Sequence, residues 1–203
     1  MVRHYSSIEN NIPLVADASV IINLIASGVP EKIISSFPNS VFVVDDIKVE
    51  LARDKRNKCS DLKVLNELIK REIIKCVSLE GEQWEVFEKL VCGSSGSTLD
   101  DGEAATIAYC SNKASIAVID ERKANKICRE YYPNLRVLSS VDLFSKAETH
   151  KLNTQVLSDA VFNALFVGRM RVMDHNVKWV IDIVGSERLK KCNSIARRFR
   201  TPD

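Results

Sequence analysis

Four short apolar runs rich in Val and Ile, IPLVA (12–16), SVFVV (40–44), EIIKCV (72–77) and SIAVI (115–119), recur along the chain, with a weaker fifth, RVLS, at 136–139. Runs of this length and composition read as strands buried on both faces. Between them lie segments with helical spacing: ASVIINLIAS, EKIISSF, DIKVELARD, SDLKVLNELIKR, EGEQWEVFEKLV, DGEAATIAYCSN and ERKANKICREYY. Strands that alternate with helices pair in parallel through right-handed crossovers. The expected fold class is therefore α/β, a three-layer α/β/α domain around a central parallel sheet covering residues 10 to 148. With 203 residues, 45% of them hydrophobic, the chain has enough apolar surface for a substantial core.

From residue 152 the pattern changes to helix without strands. QVLSDAVFNALFVGRM places apolar residues at 156, 157, 160, 161, 164, 165 and 167, an amphipathic stripe that needs a partner surface. NVKWVIDIVG and the basic SERLKKCNSIARRFR follow. The chain is thus expected to divide into an α/β domain, 1–149, and a helical extension with a basic C-terminal tail, 150–203. The extension holds ten Lys and Arg against five Asp and Glu, whereas the whole chain has a formal net charge of +2. Such a tail suits a polyanion, and a solvated helix face has the same composition.

Six cysteines without any Cys-x-x-Cys pair, and only three histidines, exclude the usual zinc sites. Several of the cysteines sit among apolar residues, as in TIAYC and ANKIC, and read as reduced core residues of a cytoplasmic protein. No run approaches the roughly 20 apolar residues of a membrane span, and the start MVRHYSSIENN lacks the apolar segment of a secretion signal.

Three strands run directly into an acid and then a helix: LVA into Asp17, FVV into Asp45 and Asp46, and AVI into Asp120. In an open parallel sheet these positions share the edge where ligands gather. Helix capping explains any one of them. Three together would repel one another unless a cation neutralises them. A fourth acidic start, LDDGEAATIAYC, spaces Asp100 and Glu103 as a capping box. On a helical wheel, though, Glu103 lies between Ile107 and Cys110 and is directed inward, which leaves Asp100 or Asp101 as the cap. In VVDDIKVELARD, strand-end logic favours Asp45 while Glu50 lies one turn along the helix, and the residues alone leave that choice open. Oxygen ligands without His or Cys suit Mg²⁺ or Mn²⁺, the ions of phosphodiester hydrolysis.

In this order and at these separations, VADASVIINLIASG, VFVVDDIKVEL, LDDGEAATIAYC and IAVIDERKANKIC resemble the prokaryotic PIN-domain ribonucleases, most closely the VapC-like toxin branch. The resemblance covers residues 12 to 145. It implies a PIN-like fold and a Mg²⁺- or Mn²⁺-dependent endoribonuclease acting on single-stranded RNA, commonly the toxin of a toxin–antitoxin pair. Carried over motif by motif, the metal-holding catalytic acids are Asp17, Glu50, Glu103 and Asp120, so that by analogy Glu50 takes precedence over Asp45. Many relatives have Asp at the third position. Ser19 matches the Ser or Thr of the first motif, and Glu121, Arg122 and Lys123 match the fourth. RNA, an antitoxin or other protein partner, and further copies of the chain are the implied partners.

Two departures stand out. VLSSVDLF, after the last strand, lacks the Gly-Thr-Leu-Gly turn common in this branch, and the helical tail lies outside the common toxin core. RLKKCNSIARRFR offers charge with Phe199 as its only aromatic, a poor stacking platform for RNA. Two other classes compete with the nuclease. One is a PIN-fold binding module without turnover, acting through its tail. The other is an Asp-nucleophile phosphatase, which needs a second Asp where this chain has Ser19.

Overall fold

The computed structural model describes residues 11–53, 60–93, 98–149 and 152–196. Five strands form one parallel sheet: β1 (Leu14–Ala16), β2 (Val41–Val44), β3 (Ile74–Val77), β4 (Ile116–Val118) and β5 (Arg136–Leu138), in the order β3-β2-β1-β4-β5. In register, Leu14 pairs with Val41 on one side and Ile116 on the other, and Ala16 with Val118. β1 is central. After β1 the chain winds outward to β2 and β3, then returns to the other side of β1 for β4 and β5. That reversal leaves a crevice at the carboxyl ends of β1 and β4, where open parallel sheets hold ligands.

The connecting helices are α1 (Ala18–Ala26), α2 (Pro30–Ile34), α3 (Asp46–Arg53), α4 (Ser60–Lys70), α5 (Glu82–Val91), α6 (Asp101–Ser111), α7 (Arg122–Tyr131) and α8 (Ser140–Thr149). The segments read as helices from spacing all form helices, and each predicted strand is present. Alternation along the strands divides the core into two layers. Leu14, Ala16, Val41, Val43, Ile116 and Val118 face α1, α2, α4 and α8. Val15, Val44, Ala117 and Ile119 face α6 and α7, with Leu90 of α5. The Val, Leu and Ile side chains among them, fully buried, contribute about 1.5–3 kcal/mol each over leaving them exposed.

The extension adds α9 (Thr154–Phe166), a 3₁₀ turn at Asp174–Asn176, α10 (Val177–Val184) and α11 (Ser186–Leu189). Asn153 caps α9 by accepting from the Gln155 and Val156 amides. The stripe anticipated from sequence is buried where Leu157, Ala160, Val161, Ala164 and Leu165 join the hydrophobic cluster of β1 and α1. Val180, Val184, Leu189 and Cys192 complete it. Among the described residues no helix is long and apolar enough to cross a membrane.

Five cysteines fall within the described residues, and no two of them are joined by a disulfide. Cys110, Cys128 and Cys192 are buried, Cys76 is half-buried, and Cys92 is exposed rather than in the core. Cys59, His4, His150, residues 94–97, and the end of the basic tail from residue 197, including Phe199, lie outside the described residues.

Candidate active site

Asp17 follows β1 directly, and its amide extends the ladder by donating to Val118 O at 3.1 Å. The same residue caps α1, because its Oδ1 accepts from the Val20 amide at 2.9 Å and from Ser19 Oγ at 2.8 Å. The capping reading of this acid is therefore correct for its backbone. Only 2% of the residue is exposed. Burial and the neighbouring charge of Asp120 push its carboxyl up to about 8, against the opposing hydrogen bonds of Val20 and Ser19.

Asp120, at the end of β4, is equally buried and better supported. Its Oδ1 accepts from the Ser140 amide at 2.7 Å, and its Oδ2 from Ser140 Oγ at 2.6 Å and Asn23 Nδ2 at 2.8 Å. Asn23 Nδ2 also donates to Ser140 Oγ at 3.2 Å. Burial raises the Asp120 carboxyl only to about 6, because these donors favour the charged form. The VLSSVDLF segment, which lacks the expected turn, thus contributes Ser140, a direct support of the site. Asn176 of the extension props the same turn, donating to Ser139 Oγ at 3.1 Å and to Asp142 Oδ1 at 3.2 Å.

Helix α6 is buried on nearly every side, with Gly102, Ala104, Ala105 and Ala108 small enough for close packing. Asp100 is its cap and accepts from the Glu103 amide at 3.1 Å. Glu103 is buried, and burial together with Asp100 and Asp17 raises its carboxyl to about 8. Glu50 reaches across from α3. A Cβ on Gly102 would overlap Glu50 Oε2, so this glycine leaves the space the carboxylate fills.

All four acids line one cleft of about 320 Å³, together with Ser19, Asn23, Asp100, Glu121, Arg169 and Arg171. Asp45 lies elsewhere, exposed and accepting from Ser78 Oγ at 2.7 Å, and Asp101 is exposed at the helix start. Glu121 occupies the N-cap position of α7 without a side-chain capping bond, and its carboxylate pairs with Arg171 at 2.6 Å. Arg122 stands 3.9 Å from Asp174 on the surface, and the Lys123 ammonium donates to Thr98 O.

This arrangement, acids at the switch point of a 3-2-1-4-5 parallel sheet, coincides with a family match: a model described as a PIN domain covers residues 13–186. The chain belongs to the PIN-domain family. No curated protein matches the chain. The match runs beyond the α/β elements and takes in α9 and α10. PIN domains are generally nucleases that depend on divalent metal ions.

The cleft suits such an ion by its chemistry. Its acidic ligands are all oxygen, with no His or Cys among the lining residues, and a cation would relieve the charge crowding that raises Asp17 and Glu103. A closed coordination sphere is not already formed: among the described residues no three His, Cys, Asp or Glu side chains form a group ready to hold a metal.

Asn23, Ser140, Arg169 and Arg171 escaped the sequence reading of this PIN domain's cleft. Only Asn23 left a signal, as a polar residue buried within the otherwise apolar ASVIINLIAS helix.

Proposed function

We propose that this PIN domain is a Mg²⁺- or Mn²⁺-dependent endoribonuclease that hydrolyses phosphodiester bonds of single-stranded RNA. Asp17, Glu50, Glu103 and Asp120 are its metal-holding, catalytic carboxylates. The observation that carries this reading is the convergence of acids from β1, α3, α6 and β4 on one cleft at the strand ends. A divalent ion, when bound, supplies activation of water for attack on phosphorus and neutralises charge on the leaving oxygen. The chain's own part is to orient the ligands. Ser140 and Asn23 hold Asp120 in one rotamer, and Ser19 with the Val20 amide fixes one oxygen of Asp17. Water adds across the P–O bond, leaving 5′-phosphate and 3′-hydroxyl ends.

The finer points, RNA as substrate and a role as the toxin of a toxin–antitoxin pair, are supported by the resemblance of the four motifs to the VapC-like branch. A small upstream gene encoding a DNA-binding fold is the expected genomic neighbour of a toxin. A protein partner, either an antitoxin or a second copy, belongs to the same proposal and is supported by Phe166 and Val167, both exposed at the end of α9.

End-labelled single-stranded RNA incubated with the full-length protein tests the chemistry. Fragments with 5′-phosphate and 3′-hydroxyl ends are expected in Mg²⁺ or Mn²⁺, and none in EDTA. Cleavage that survives EDTA contradicts the proposal.

A further inference from the structure

The acidic cleft has a cationic rim, and the extension supplies it. Six carboxylates line the cleft, from Asp17, Glu50, Asp100, Glu103, Asp120 and Glu121, and the only basic side chains among the lining residues are Arg169 and Arg171. Both follow α9, beyond the four motifs that carry the acids.

The segment that carries them, from Gly168 on, is tightly placed. Gly168 fits so closely between the end of α9 and α1 that a Cβ would sit 2.7 Å from Ala164 O of α9 and 2.8 Å from Asn23 Oδ1 of α1, where only glycine fits. Asn23 is the same residue that donates to Asp120. Met170 is buried, and its amide donates to Ala164 O at 3.0 Å. Arg171 clasps Glu121, the residue after Asp120, at 2.6 Å.

Arg169 differs from its neighbour. Its φ is +59°, a left-handed conformation disfavoured for any residue with a side chain. Although the cleft holds six carboxylates, Arg169 forms no ion pair or hydrogen bond with a described residue. Arg169 is exposed at the cleft, and its strained backbone holds a guanidinium with free donors where an anionic substrate would lie.

We propose that Arg169 binds a backbone phosphate of single-stranded RNA in this cleft, with Arg171 positioning it through the clasp on Glu121. The inference rests on the nuclease reading and deepens it. A polyanion entering a cleft of six carboxylates meets repulsion that bound divalent ions only partly offset, and a guanidinium fork supplies the missing attraction. The C-terminal extension thereby becomes part of the substrate site.

Arg169→Gly is the informative variant, because glycine accepts the left-handed backbone without strain. Three quantities are measured on the full-length protein: the thermal midpoint, the Mn²⁺ affinity by calorimetry without RNA, and single-turnover RNA cleavage in Mn²⁺ against protein concentration. The expected result is a thermal midpoint equal to or above the parent's, unchanged Mn²⁺ affinity, and a half-saturating concentration raised about tenfold. The dependence of log affinity on log salt should fall by about 0.7. Arg169→Lys, which keeps the charge but loses the fork, should fall between the two. Unchanged half-saturation in Arg169→Gly, or tighter binding, overturns the role of Arg169 while leaving the nuclease standing. A weakened Mn²⁺ affinity also overturns it, since the residue would then act on the metal site rather than on RNA. If the parent protein cleaves no RNA in Mn²⁺, the nuclease reading and this inference fall together.

Discussion

Asp17 and Asp45 are written alike in the sequence, each an apolar run ending in Asp at the start of a helix, yet they meet opposite environments. Asp17 is 2% exposed and shares a cleft with Glu50, Asp100, Glu103, Asp120 and Glu121. Asp45 is exposed and bonded to Ser78. Strand order separates them. β1 and β4 lie side by side where the winding reverses, so the crevice opens between their ends, whereas β2 lies one strand further out, between β1 and β3. The motif encodes a helix start, and only the position in the sheet turns one such start into a charged pocket. Asp120 refines the contrast. It is as buried as Asp17 but rises only to about 6 instead of about 8, because three donor contacts stabilise its charge.

The contrast can be broken by experiment. The largest effect is expected for Asp17→Asn and Asp120→Asn, each lowering RNA cleavage on the order of a thousandfold while circular dichroism shows an intact fold. Retained activity in either would undo the assignment of the pocket.

Ser140→Ala comes next. It removes one hydrogen bond to Asp120 but leaves the backbone amide in place, and should cost about 10–100-fold in metal affinity. An unchanged Mn²⁺ titration would show that Asp120 needs no such support.

Titration adds a third effect. The Asp17 and Glu103 carboxyls have folded values raised to about 8. Their contribution to stability is therefore fully present below the unfolded carboxylate range and is lost as pH rises through about 8. Calorimetric melting without metal should show this loss between pH 4 and 8, reduced in Asp17→Asn, and Mn²⁺ should raise the midpoint more at pH 8 than at pH 5. Equal metal stabilisation at both would contradict it. The smallest effect belongs to Asp45→Asn, whose cleavage rate should match the parent's, and a large loss there would move the site one strand outward.

The sheet and its helices were legible because strands buried on both faces leave continuous Val and Ile runs, and Val15 and Val44 pack on one side while Leu14 and Val43 pack on the other. The inward turn of Glu103 was legible too, since α6 is apolar on almost every side. Ser140 was not. It supports Asp120 across 20 residues of chain, and no periodicity marks a serine that will meet a distant acid. VLSSVDLF lacks the Gly-Thr-Leu-Gly turn, yet its Ser140 holds Asp120 and its Ser139 accepts from Asn176. The extension was legible as amphipathic helices in need of a partner surface. That its connecting segment would bring Arg169 and Arg171 to the cleft depends on the close approach of Gly168 to Asn23, a long-range contact that leaves no local pattern.

The central claim, that the buried acids at the ends of β1 and β4 form a divalent-metal site, is tested most directly by calorimetric titration of Mn²⁺ at pH 7 in two buffers of different ionisation enthalpy. Carboxyls held near 8 carry protons at that pH, and metal must displace them. Binding with net proton release is predicted for the parent and for Asp45→Asn, and its loss for Asp17→Asn. Undiminished binding by Asp17→Asn, or no binding by the parent, would contradict the account.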